Sequence, residues 1–268
     1  MIRVCLAGAT GAVGRVLVPA ILRSKDLRLV SAVSRSHRGR SLGEVLGISK
    51  LPLIISGSVE EALQNPADVL IDFTSPKVVK ANVMLAIDKG VNVVIGTSGL
   101  NDEDHEEIDR AARKRKVGVL AGGNFAVSAV LMEHFALTAA KVLPSWEIIE
   151  YASEMKPDAP SGTSRELAHA LSEVRSPKVA IPIGETLGAK ESRGASMGGT
   201  QVHSVRLPGV VSRVDVIFGD TGERLTITHE GTADQRPYVE GVLFSARKVP
   251  SWVGLKRGLW EIMGLSEA

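Results

Sequence analysis

The sequence predicts an α/β fold: a parallel sheet with helices on both sides, followed by a second part of mixed helix and strand. Three observations carry this expectation. Short β-branched apolar runs alternate with helical patterns over roughly the first 120 residues, the rhythm of strand–helix–strand units. Near Gly122-Gly123-Asn124 the character changes, and later strand-like runs follow one another across Gly-containing turns. At roughly 100–200 residues per domain, the 268 residues correspond to two domains, or to one large domain with an elaborated second half.

Taken in order, Ile2–Ala7 is apolar and β-branched, and the glycine-rich turn 8–14 leads into Val16, Leu17, Ala20 and Ile21 at helical spacing. This reads as strand, tight turn and helix. Residues 29–33 form a second buried strand, and 69–73 and 91–95 two more, with helices over 59–63 and 78–89. After the turn Gly96-Thr97-Ser98-Gly99, charges alternate along a helical face over Asp102–Arg115, and 117–120 is another strand. The second half opens with an apolar helix over 129–142, a strand over 147–151, a Pro/Gly-rich loop over 156–162 and a helix over 163–173. Strands over 202–206, 210–218 and 224–229 then suggest a mixed or antiparallel sheet with one solvated face. A last helix over 237–247 and the tail from Trp252 are candidates to return to the first domain.

Composition excludes several function classes. Hydrophobic residues make up 44% and charged residues 23%, close to the soluble globular average, which argues against a disordered chain or a fibre. The net charge of +2 gives no electrostatic case for nucleic acid or a membrane surface as partner. The single cysteine, Cys5, excludes an internal disulfide and a Cys-based zinc site; within Val4-Cys5-Leu6-Ala7 it reads as a small buried hydrophobe. The six histidines show no metal-binding spacing, so no metal is expected. The weakly charged stretch 121–142 is broken by Glu133, His134 and Lys141, and no transmembrane helix is expected. The N-terminus enters the glycine turn directly, so the chain reads as unprocessed and cytoplasmic.

Gly8, Gly11 and Gly14 follow a strand and open a helix, a variant of the dinucleotide-binding fingerprint. Glycine there permits the turn, keeps Cβ atoms out of the path of a pyrophosphate and allows close helix packing, while helix N-terminal amides meet phosphate charge. A merely tight structural turn is the alternative. Beyond the second strand, where an NAD-preferring site usually carries an acid, the chain has Ser34-Arg35-Ser36-His37-Arg38. Arg35 and Arg38 there suit a 2′-phosphate and hence NADPH, unless the segment is only a solvated basic loop.

In the second half, Lys156-Pro157-Asp158-Ala159-Pro160-Ser161-Gly162-Thr163 joins a lone cation to a rigid loop and a helix start. Ser161, Gly162 and Thr163 offer hydroxyls and amides at a helix N-terminus, a cradle for a carboxylate or phosphate. The same residues would serve equally as a helix cap with a proline-stiffened turn.

Several motifs recur in the order and spacing of one family: the turn 8–14, Asp72-Phe73-Thr74-Ser75-Pro76, Gly96-Thr97-Ser98-Gly99-Leu100, Gly123-Asn124-Phe125, Glu147-Ile148-Ile149-Glu150, and Lys156 with Asp-Ala-Pro-Ser-Gly-Thr. The chain resembles the 4-hydroxy-tetrahydrodipicolinate (dihydrodipicolinate) reductases over nearly its whole length. The resemblance implies a Rossmann-type doubly wound parallel sheet, over 1–123 with 236–268, and an inserted α+β substrate and oligomerisation domain over 124–235. It also implies reduction of a cyclic dicarboxylate by NADPH or NADH in lysine and diaminopimelate synthesis, in a homotetramer. It suggests Thr10, Gly11, Ala12 and Val13 under the pyrophosphate, Arg35 near the adenosine ribose, and Phe73 and Thr74 along the nucleotide. Gly96, Thr97 and Ser98 with Gly122, Asn124 and Phe125 would lie near the nicotinamide. Lys156 would face one substrate carboxylate and Ser161, Gly162 and Thr163 the other.

Two departures stand out. The family usually carries Glu-x-His-His-x-x-Lys before the Asp-Ala-Pro-Ser-Gly-Thr loop, with the first His the proposed proton donor; here the segment is Glu150-Tyr151-Ala152-Ser153-Glu154-Met155-Lys156. Ala152 transfers no proton. Ser212-Arg213-Val214-Asp215 likewise stands where Gly-Glu-His is common. With the standard substrate, Lys156 or a bound water becomes the proton source, ahead of Tyr151, Glu154, His169, His203 and His229. The losses also leave two alternatives: a paralogue acting on another imine or oxidatively deaminating a small amino acid, or a catalytically silent nucleotide-binding protein. The retained Lys156 and Ser-Gly-Thr loop count against the silent reading.

Overall fold

The computed structural model describes residues 1–232 and 234–264, so the last four residues of the expected first domain lie outside the described ones. The described residues divide into two compact units, one holding Met1–Val127 and residues 234–264, the other residues 128–232.

The first unit is built on a seven-stranded sheet in the order β12-β6-β5-β4-β1-β2-β3, with every pair parallel. Its elements are β1 (Ile2–Ala7), α1 (Ala12–Arg23), β2 (Leu27–Val33), α2 (Leu42–Leu46), β3 (Ile55–Ser56), α3 (Val59–Ala62), β4 (Val69–Asp72), α4 (Val79–Asp88), β5 (Asn92–Ile95), α5 (Asp102–Arg115) and β6 (Gly118–Ala121). The strands are buried on both faces, which is why they read as apolar runs rather than alternating ones. On β1, Val4 and Leu6 join a core with Leu17 and Ile21 of α1, while Cys5 and Ala7 join another with Val83 of α4 and Ile108 of α5. Burial, with Asp72 nearby, pushes the Cys5 thiol up to about 12, so it is an unreactive core residue.

Helix α5 shows how local sequence writes both ends of an element. Asn101 Oδ1 accepts from Asp104 N–H at 2.8 Å, and Asn101 N–H donates back to the Asp104 carboxylate at 3.1 Å. Asp102, Glu103 and Asp104 occupy the first turn and Arg113, Lys114 and Arg115 the last, each set matching the adjacent end of the helix dipole. Elements without such signals escape a sequence reading. β3 spans two residues, and β12 (Gly254–Arg257) carries Gly, Lys and Arg rather than an apolar run. β12 is set by tertiary contact, pairing with β6 while Leu255 N–H donates to Asp109 Oδ1 at 2.7 Å. Together with α8 (Tyr238–Lys248), whose Val242 and Ala246 enter the α1-side core, it brings the tail back to the first unit.

In the second unit α6 (Val127–Ala140) and α7 (Gly162–Val174) share a core with a five-stranded sheet in the order β11-β10-β7-β9-β8. Its strands are β7 (Ser145–Ala152), β8 (Ala195–Met197), β9 (Thr200–Arg206), β10 (Ser212–Asp220) and β11 (Glu223–Gly231). The sheet is mixed: β7 and β9 are parallel and the other pairs antiparallel. β7 alternates strictly, with Trp146, Ile148, Glu150 and Ala152 buried and Glu147, Ile149 and Tyr151 only partly covered. A carboxylate thus sits on the core face of β7. Among the described residues, no helix is long and apolar enough to cross a membrane.

Candidate active site

The residues assigned to a dinucleotide follow the carboxyl ends of strands of one parallel sheet. The turn 8–14 follows β1, Arg35 and Arg38 follow β2, Phe73 and Thr74 follow β4, Gly96 to Ser98 follow β5, and Gly122 to Phe125 follow β6. β2 and β3 lie on one side of β1, and β4, β5, β6 and β12 on the other, so the strand order reverses beside β1. A crevice for a nucleotide opens at such a reversal. Helix α1 begins there with Gly11 as its N-cap, without a side-chain cap or an acid in its first turn. The amides of Ala12, Val13 and Gly14 have no intramolecular acceptor among the described residues, and this donor set fits a diphosphate. Gly8 has φ 83°, and a Cβ there would lie 2.0 Å from the Phe73 carbonyl oxygen; one on Gly14 would lie 2.3 Å from that of Gly8. These two glycines are steric requirements of the turn.

The structure sorts the remaining nucleotide candidates. Arg35 is exposed and has no hydrogen-bond or ion-pair partner among the described residues, whereas Arg38 Nε lies 3.2 Å from Glu61. Thr10 Oγ1 is 2.7 Å from Ser34 Oγ, tying the glycine turn to the end of β2. Thr74 and Thr97 both donate their hydroxyls at 2.7 Å to Oδ1 of the fully buried Asp72, whose Oδ2 accepts from Asn82 at 2.8 Å. Their side chains therefore shape the strand ends rather than reach outward. The Phe73 ring packs over Gly96, where a Cβ would lie 2.1 Å from it, and meets Phe125 edge-on at 5.7 Å. Phe125 is wholly buried in the core, with its carbonyl packed against Gly241, so it supports the turn after β6 from beneath. Asn124 Oδ1 accepts from Ala126 N–H at 2.9 Å and shapes the turn after β6.

The loop after β7 is organised around Glu150. Its buried carboxylate accepts from Ser161 N–H (2.9 Å to each oxygen), Ser164 Oγ (2.6 Å), Ser204 Oγ (2.7 Å) and Arg206 Nη2. Burial pushes this carboxyl upward, but the bonds from Ser161, Ser164, Arg206 and Ser204 outweigh it and bring it down to about 2. Ser161 is the N-cap of α7, its hydroxyl accepting from Ser164 N–H at 3.3 Å. Its amide and hydroxyl are thus engaged within the protein, which narrows the expected cradle. Gly162 and Thr163 keep backbone N–H groups with no partner among the described residues, and a Cβ on Gly162 would meet only the tip of Arg165, at 3.9 Å. Lys156, half-buried, pairs with Asp158 at 2.7 Å. Sequence reasoning did not single out Ser164, Ser204 and Arg206, and Glu150 entered it only within motifs, with no role of its own. The one available signal was a Glu on the inward phase of an alternating strand.

Family models for the dihydrodipicolinate reductase N-terminus and C-terminus match residues 2–125 and 128–263. The chain belongs to the dihydrodipicolinate reductase family. It is 40% identical over 260 residues to the 4-hydroxy-tetrahydrodipicolinate reductase of Desulfitobacterium hafniense, covering 96% of this chain and 97% of that relative. With the enzyme of the same name from Listeria monocytogenes it shares 37% over 262 residues, covering 97% and 99%. Among solved structures, the dipicolinate-bound dihydrodipicolinate reductase from Paenisporosarcina sp. TG-14 superposes with a TM-score of 0.89 at 34% identity, covering 98% of this chain and all of that one. The chain is accordingly an NAD(P)H-dependent oxidoreductase with the fold expected of it.

As a dihydrodipicolinate reductase it lacks an obvious proton donor on β7. Ala152 is buried at the strand end, and Ser153 Oγ accepts from Met155 N–H at 3.2 Å. Tyr151 points to the opposite face, under the Arg213 guanidinium at 5.5 Å, and Glu154 is exposed. His203 is bound to Glu147 at 2.8 Å, and His169 lies exposed on α7. His229 is buried beside Ser128 Oγ at 3.1 Å, and burial lowers its pKa, favouring the neutral ring. Val214, within the segment that stands where Gly-Glu-His is common, is buried opposite Glu150 on the neighbouring strand.

Proposed function

We propose that this reductase transfers a hydride from NADPH to a small dianionic cyclic imine of the 4-hydroxy-tetrahydrodipicolinate class, the first unit binding the dinucleotide and the second the substrate. The names of the relatives and the dipicolinate held by the Paenisporosarcina enzyme support a small anionic substrate. The observation that carries the reading is the loop itself: a lysine and two unpartnered helix-opening amides lie within eight residues of each other, a matched pair of anion-binding elements. Lys156 exchanges Asp158 for one substrate carboxylate, and Gly162 and Thr163 take the other, with Ser161 holding the turn.

When bound, reduced nicotinamide supplies the hydride. Ala12, Val13 and Gly14 hold the diphosphate with their amides, Gly8 and Gly11 keep the turn tight, and Thr10 braces it. Phe73, Thr74, Gly96, Thr97, Ser98, Gly122, Asn124 and Phe125 frame the strand ends along the dinucleotide, largely through backbone. NADPH preference rests on the missing acid after β2 and on Arg35, which is free to meet a 2′-phosphate, while Arg38 is shared with Glu61. Reducing an imine consumes one hydride and one proton, and that proton comes from Lys156 Nζ or from water. We also propose a cytoplasmic homotetramer, on the resemblance alone. The absent histidines favour one second reading, a reductase of a different small imine.

The test follows NADPH absorbance while an aldolase generates hydroxy-tetrahydrodipicolinate in place. Rapid oxidation is expected. Losing a charged hydrogen bond predicts a fall in kcat/KM of roughly 10–100-fold in Lys156→Ala. Arg35→Ala should lose roughly tenfold in NADPH affinity with NADH unchanged, and Arg38→Ala distinctly less. No oxidation, followed by turnover of another imine from a panel, transfers the assignment to the second reading.

A further inference from the structure

We infer that Glu150 is a positioning residue for the substrate cradle, a carboxylate that touches no reacting atom but decides which amides of α7 are offered to the anion. The inference rests on the substrate reading above and concerns the same loop. An acid on the inward face of β7 is costly to bury, and it survives there only because donors from other segments converge on it. Two belong to the cap of α7, Ser161 and Ser164, and two to β9, Ser204 and Arg206. Arg206 also donates to the Asp158 carbonyl at 2.7 Å, and Arg165 to that of Pro160. The segment between β7 and α7 is therefore fixed at Asp158 against β9, at Ser161 against β7 and at Pro160 against α7 itself.

This arrangement selects. Glu150 takes the Ser161 amide, the Ser161 hydroxyl takes the Ser164 amide, and Gly162 and Thr163 are left with theirs open. The charge is handled locally as well. A bare carboxylate at this helix start would repel an incoming carboxylate, but Arg206 neutralises Glu150, so the open amides keep their attraction for an anion. Glutamine at position 150 keeps the shape and loses the function, because its NH2 group must face a donor where an oxygen now accepts.

The experiment uses pyridine-2,6-dicarboxylate as the probe, titrated calorimetrically into the full chain with NADPH bound, for wild type, E150Q and S164A. Dissociation constants for NADPH and amide hydrogen exchange over residues 156–166 are measured on the same samples. For E150Q the expected result is dicarboxylate binding weaker by roughly tenfold or more, NADPH binding within about twofold of wild type, and faster exchange in the loop. KM should rise in proportion while kcat changes little, with S164A intermediate. A purely structural role would lower thermal stability without separating the two ligands. Equal or tighter dicarboxylate binding in E150Q overturns the inference and leaves the substrate reading standing. Failure of the wild type to bind the dicarboxylate overturns the substrate reading and the cradle with it.

Discussion

The Glu150 network makes a pH-dependent contribution to folding that can be isolated. The carboxyl is held at about 2 against an ordinary 4.5, because hydrogen bonds from Ser161, Ser164, Arg206 and Ser204 overcome the upward push of burial. Each pKa unit is worth roughly 1.4 kcal/mol, so the ionised form is favoured in the folded protein by about 3 kcal/mol. The folded value is the depressed one. The contribution is therefore complete above pH 4.5 and is lost as pH falls toward 2; by pH 2.5 about 2.5 kcal/mol of it is gone. Urea unfolding of wild type and Glu150→Gln between pH 6 and 2.5 reads it as a difference. Asp26, bonded to Arg247, and Asp68, bonded to Arg3, are also lowered, but they titrate in both proteins and cancel. The stability gap between the two proteins should narrow by about 2–3 kcal/mol over that range. Two parallel curves would refute the argument that Glu150 is ionised and fully bonded in the folded chain.

Two further outcomes follow from the geometry. Gly8→Ala places a Cβ 2.0 Å from the Phe73 carbonyl at a positive φ, so it should cost about 2–4 kcal/mol and abolish NADPH binding. Gly39→Ala, with φ 79° and no atom within 4 Å of its Cβ, should cost only about 1–2 kcal/mol and leave binding intact; thermal melts and fluorescence titrations compare them. Ala152→His tests whether the missing proton donor limits turnover. General acid catalysis contributes roughly 10²–10⁴-fold, so kcat should rise toward the lower end of that range, although crowding a buried position costs about 1–3 kcal/mol. An unchanged kcat in a folded Ala152→His protein would show that another step or another donor sets the rate.

The glycine turn and the basic loop after β2 were legible as elements because their signals are local. A glycine turn between an apolar strand and a helix, and the absence of an acid after β2, are read within windows of a few residues, and the sheet then carries them to a common edge. The loop at Lys156 to Thr163 was legible as a motif but not as a geometry. Its sequence is compatible with an anion cradle and with a helix cap; in the structure Ser161 caps, and the amides of Gly162 and Thr163 have no acceptor among the described residues.

The alternation of strands and helices, the boundaries of α5, the glycine turn and the lysine loop are all written locally, since they depend on hydrophobic period, backbone sterics and capping between near neighbours. The partners of charged and polar groups are set by the folded chain. Glu150 meets Ser204 and Arg206 because β7 and β9 pair in parallel register, bridging up to 56 residues of chain. Arg38 is drawn to Glu61 while Arg35 has no partner among the described residues, although the two are three residues apart in the same loop. β12 exists because β6 offers an edge for it. Such choices depend on register and side-chain reach across distant segments, which no local window of sequence contains.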